Sequence, residues 1–175
     1  MRRKIILGLL IIVTFLLQTT VFQSLSLANI APNLLLILTV SFGFMRGKKE
    51  GLVIGFICGL CIDLFYSDYV GVHALIYMFI GFLNGLLCKV YYDEDIKVPM
   101  VLIAVSDLFY GLFMFVSTIF MHGNLKISSY LVHVMFPEML YTIVAAIVFY
   151  RLLYMLNRKF IDDEMDGKEL PWLRR

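Results

Sequence analysis

Apolar residues run along this chain in six blocks, separated by short polar turns. The blocks cover about 5–27, 32–45, 50–66, 72–90, 98–121 and 128–156. A bilayer-crossing helix needs roughly 20 apolar residues, and only the second block falls well short of that. It is therefore expected to sit embedded among its neighbours. The first block follows Arg2-Arg3-Lys4, as a secretory signal would, but it runs on to Leu27. That length favours an uncleaved first helix. In the second block Pro32 is expected in the first helical turn, where its missing N–H costs nothing. Pro137 in the sixth should kink its helix.

Composition agrees with the pattern. Hydrophobic residues make up 61% of the 175 and charged residues only 16%, against about half and a quarter in soluble domains. Charge position decides orientation. Of the fifteen Lys and Arg residues, every one except Lys126 falls on one side of a six-span topology. By the positive-inside rule the fold is an all-α polytopic membrane protein, a compact six-helix bundle with both termini cytoplasmic. Residues 1–160 form that single domain, and 161–175 read as a solvated, partly disordered tail with Trp172 as an alternative docking peptide. The localisation expected is the plasma membrane. Cys58, Cys61 and Cys88 lie in apolar runs and read as small packing residues rather than a disulfide or redox pair.

The third block carries the sharpest pattern. Gly51, Gly55 and Gly59 recur every four residues, and Asp63 occupies the next place in the series. Each step of four over-rotates by about 40°, so the glycines form a slanting groove that admits another backbone. The groove is expected to pack inside the bundle or against a partner. Gly81 and Gly85 repeat the motif in the fourth block. Three carboxyl groups stand within the apolar blocks: Asp63, Asp107 and Glu138. Intramembrane acids are functional suspects. Asp107 and Glu138 read as hydrogen-bond acceptors for neighbouring helices, with a proton or cation relay as the rival role. Asp63, roughly 18 Å along its helix from Gly51, reads as a water-reachable residue near the outer face, where a partner can meet it.

Chemistry beyond this is sparse. His73, His122 and His133 lack metal-ligand spacing, so no metal is expected. No nucleophile motif, phosphate loop or dinucleotide fingerprint occurs, so neither a catalytic residue nor a cofactor is expected. The chain does not read as an enzyme, and nucleic acid is not among its expected partners.

Several segments in order and spacing resemble the MreD family of bacterial rod shape-determining membrane proteins. They are Gln18-Thr-Thr-Val-Phe, Ala31-Pro32-Asn33-Leu-Leu, Arg46-Gly-Lys-Lys-Glu-Gly51, the Gly55/Gly59/Asp63 helix, and Val70-Gly71-Val-His73-Ala-Leu. The resemblance is strongest over about residues 15–90. It implies a scaffold or regulator of the cell-elongation complex (the elongasome) in lateral peptidoglycan synthesis. The partners it implies are MreC, the actin-like MreB reached through it, the glycan polymerase RodA, a class B penicillin-binding protein, and membrane lipid. The family is also similar in fold to the substrate-capture subunits of energy-coupling-factor vitamin transporters, so a vitamin-binding subunit is the rival. Those subunits engage their partner through Ala residues on the first helix, and Ile5 to Leu27 contains none. A proton-coupled carrier using Asp107 and Glu138 is a third possibility.

Overall fold

The apolar blocks fold as helices in the computed structural model, which describes residues 2–22, 31–67, 70–88, 97–122 and 135–166. Helix α1 (Arg2–Leu16) continues through a π-helical turn at Leu17–Val21. Then come α2 (Leu34–Arg46), α3 (Lys48–Tyr66), α4 (Val72–Leu87), α5 (Lys97–His122) and α6 (Phe136–Asp166). Thr19 explains part of the widened turn, since its hydroxyl donates 2.9 Å to the Phe15 carbonyl and competes with the helix's own ladder.

The second helix starts later than its sequence suggests. Asn33 is its N-cap, with the side-chain oxygen accepting from the Leu36 N–H, and this leaves Pro32 ahead of the helix rather than in its first turn. At its other end α2 passes to α3 through one residue. Gly47 has φ 93° and ψ 178°, a conformation open almost only to glycine. Its N–H donates 2.8 Å to Gly43 and its carbonyl accepts 3.0 Å from Gly51, so both helix ends are satisfied across the joint.

Helix α6 runs into the first part of the expected tail. It continues through Asp166, because no helix-breaking residue intervenes before Gly167. The end of the tail, Trp172 included, lies outside the described residues, as do 123–134 with His133, where the helix expected ahead of the Pro137 kink would run. Pro137 itself falls in the first turn of α6.

Helix α2 is the axis of the bundle. Every side chain from Leu34 to Phe44 is buried, and α2 touches all five other helices. Helices α3 and α4 pack tightly on it and on each other, while α1, α5 and α6 complete the ring. Polarity is arranged inside out. Thr39, Ser41, Asn84, Ser106, Asp107 and Thr142 are buried, while Val101, Val105, Leu112 and Val116 form an exposed apolar stripe along α5. Leu140, Val144, Val148 and Leu152 do the same on α6. A helix in water turns these faces the other way. Two segments, Lys97–Ser117 and Phe136–Arg158, are long and apolar enough to cross a membrane.

Candidate functional site

The glycines lie between α3 and α4. A Cβ built on Gly55 would strike the Tyr77 carbonyl, one on Gly59 the His73 carbonyl, and one on Gly51 the Gly81 carbonyl. The clash is mutual, because a Cβ on Gly81 would meet the Gly51 carbonyl and one on Gly85 the backbone of Lys48. Gly43 of α2 joins the same contact, its Cβ direction ending 2.8 Å from the Gly81 carbonyl oxygen. The groove is filled by this chain's own backbone.

Asp63 stands at the head of that seam, and its surroundings differ from the sequence expectation. It is 1% exposed, hence sealed from a partner and from bulk water, because the start of α4 folds over it. Its Oδ2 accepts from the N–H groups of Gly71 and Ala74, each at 2.9 Å. Its Oδ1 accepts from the His73 N–H at 3.0 Å and from His73 Nδ1 at 2.9 Å. The first N–H groups of a helix have no partners within it, and water cannot supply them inside a bundle. Asp63 supplies them from the preceding helix, and its negative charge suits the positive end of the α4 dipole. Gly71, with φ 113°, makes the turn that brings those groups round.

The start of α2 is served in the same way. The Leu35 N–H donates 2.9 Å to Gln18 Oε1 in the π-helical turn after α1, and the Leu36 N–H donates 3.2 Å to Asn33 Oδ1. The Asn33 N–H donates 3.2 Å to Thr142 Oγ1 on α6, and the Tyr77 hydroxyl on α4 donates 2.6 Å to Asn33 Oδ1. Thr142 in turn hydrogen-bonds the Asp107 carboxyl on α5, and Glu138, one turn before Thr142, lies within electrostatic range of Asp107. Asp107 is 4% exposed, yet its Oδ1 has no hydrogen-bond partner among the described residues.

Between these two helix heads lies a cavity of about 210 Å³, lined by α1 with its π-helical turn, α3, α4, α5, α6 and the residues leading into α2. Gln18, Thr19 and Asn33 line it, together with Tyr66, Tyr77, Tyr110 and Glu138. Tyr110 packs edge-on against Tyr77 at 5.5 Å and tilts against His73 at 6.1 Å, joining the Asp63 and Asn33 clusters. Gln18, Asn33 and Glu138 thus meet at one place, with Asp107 behind them and Asp63 and His73 beside them. Arg46 lies at the opposite end of α2, where its Nε donates to Asn157 on α6.

Tyr77, Tyr110 and Thr142 were not among the sequence candidates. Tyr77 had a signal, since it is four residues after His73 and four before Gly81 and so shares their face of α4. Thr142 had one too, at four residues past Glu138. Tyr110 had a weaker one, at three residues past Asp107 on the same helix. Among the described residues no group of His, Cys, Asp or Glu side chains is arranged to hold a metal ion.

The chain matches the family model of the rod shape-determining protein MreD over residues 1–160. Comparisons with curated proteins and with solved structures gave no match. The family match takes in every cluster described above and leaves out only the last fifteen of 175 residues. The chain belongs to the MreD family of rod shape-determining proteins.

Proposed function

We propose that this protein is a non-enzymatic scaffold of the cell-elongation complex, crossing the plasma membrane six times with both ends in the cytoplasm. Family membership already implies a role in rod-shape determination and association with the rod-shape complex. On our reading MreC is the direct partner, with MreB, RodA and a class B penicillin-binding protein in the same assembly, and regulation of lateral peptidoglycan synthesis passes through helix contacts. The observation that carries the reading is where the chain leaves surface for partners. Its glycine groove is occupied internally, and its outward stripes on α1, α5 and α6 are apolar along their length. Those stripes present leucine, isoleucine and valine to lipid or to another helix, and α3 and α4 add an exposed apolar face of their own at Val53, Phe56, Leu64, Leu75, Phe79 and Leu83.

The test is site-specific crosslinking in cells that contain all partners. In a cysteine-free background, single cysteines replace Leu9 on α1, Val53 on α3, Leu75 on α4, Val105 and Leu112 on α5, and Val144 and Val148 on α6. At least one stripe is expected to crosslink to MreC, and bulky substitutions along that stripe to abolish co-purification while the protein still inserts. If no stripe crosslinks to any member of the complex, the scaffold reading is wrong. A vitamin carried through purification by this protein would favour the transporter-subunit alternative.

A further inference from the structure

The cavity between the heads of α2 and α4 has a chemical bias that shape-determining scaffolding does not require. At about 210 Å³ it far exceeds the 10–15 Å³ or so that one water needs. Two of its four hydroxyls have already committed their hydrogens: Thr19 to the Phe15 carbonyl, Tyr77 to Asn33. What these two groups turn to the cavity is therefore lone pairs. Glu138 adds a carboxyl that makes no hydrogen bond among the described residues, and the buried Asp107 behind it has an oxygen without a donor. The rings of Tyr66, Tyr77 and Tyr110 supply π-faces. Carboxyl groups, spare lone pairs and aromatic faces together call for a ligand that donates hydrogen bonds and carries positive charge. The side-chain amides of Gln18 and Asn33 bring the complementary element, since both oxygens are engaged by α2 or Tyr77 and the nitrogens remain to donate. A ligand with an oxygen beside its cationic group satisfies them.

We infer that this cavity binds a small organic ammonium bearing a neighbouring oxygen, with Glu138 as its anionic anchor and the tyrosine rings as its walls. The ethanolamine pattern has both features, either as the headgroup of a phospholipid or as a free amine. The cavity's depth suits either source. Tyr66 is the last residue of α3 and Ala31 precedes α2, so the site opens at the end of the bundle, at the level of lipid headgroups in a spanning bundle, and reaches inward to Tyr110 midway along α5.

Two arms separate the sources. In the first, full-length protein is extracted from vesicles of equal phosphatidylethanolamine and phosphatidylglycerol, and retained lipid is read by native mass spectrometry. In the second, radiolabelled ethanolamine is titrated into protein held in nanodiscs of phosphatidylglycerol alone. Wild type is expected to be positive in at least one arm, and Glu138→Gln to lose about tenfold or more there, as befits a charge-assisted contact. Retained phosphatidylethanolamine with no ethanolamine binding assigns the site to the lipid headgroup; the converse assigns it to a soluble amine. If Glu138→Gln does not fold, Thr19→Val and Tyr66→Leu carry the test, each with an expected loss of a few fold. Equal retention of both lipids together with no saturable ethanolamine binding overturns the inference. So does binding that none of the folded variants weakens.

Discussion

Helices α3 and α4 are held together in two opposite ways along one interface. Over most of its length, from Gly51 to Gly59 against Gly81 to His73, they join because side chains are missing and the backbones touch. At its head they join because one side chain, Asp63, reaches across and takes four hydrogen bonds. The glycine seam has almost no chemical selectivity and great steric selectivity. The Asp63 head tolerates small displacements but no loss of acceptor. The difference shows how a bundle in lipid divides its problem. Close packing replaces the hydrophobic drive that lipid does not provide, and polar side chains are confined to the points where helix ends would otherwise leave N–H groups bare.

The seam can be broken most severely at Gly55. Replacing it with Leu drives a side chain into the Tyr77 carbonyl, where neither backbone can retreat, and no folded protein is expected. Even Gly55→Ala should cost about 1–3 kcal/mol or more, read as lost thermal stability in detergent by size-exclusion chromatography. A Gly55→Leu protein that melts like wild type would show that α3 and α4 are not in backbone contact. The head is tested by Asp63→Ala, which strips the acceptor from two buried N–H groups, at about 1–3 kcal/mol each, and from the half-buried Gly71 N–H. Asp63→Asn keeps one acceptor oxygen and should recover part of that loss. If the Asn variant is no more stable than the Ala one, the capping role fails. The smallest effect belongs to Tyr77→Phe. It removes one hydrogen bond to Asn33 but leaves Leu36 donating there, so the melting shift should reflect only about 1 kcal/mol.

These two modes were unequally legible in the sequence. The seam was visible because a steric rule writes itself as spacing: Gly at every fourth place in α3, and again at Gly81 and Gly85. Which helix would fill the groove was not visible, since the same spacing serves a partner protein equally well. Asp63 stood out as a carboxylate in an apolar run, but its partners are backbone groups of Gly71, His73 and Ala74, and every residue has such a group. A backbone donor leaves no mark in composition. The cavity was less legible still. Its walls come one or two residues at a time from six segments, and no local window contains more than a fragment of it. Gln18 and Asn33 could be picked out only through the family resemblance, and their task of closing the start of α2 needed the fold.

Helix α2 has a consequence for how this protein is made. Its 13 residues extend about 20 Å, well under the roughly 30 Å of a hydrocarbon core, and its flanks are meant for protein on every side. During synthesis it emerges before α4, α5 and α6 exist. On the proposed six-span topology, the single-residue link at Gly47 has α2 enter the bilayer as a hairpin with α3, beside α1, until the later helices enclose it. On that topology, membrane insertion is an assembly process in which the first-made centre waits for its walls, and any chaperone or insertase that holds the nascent protein has α2 to protect.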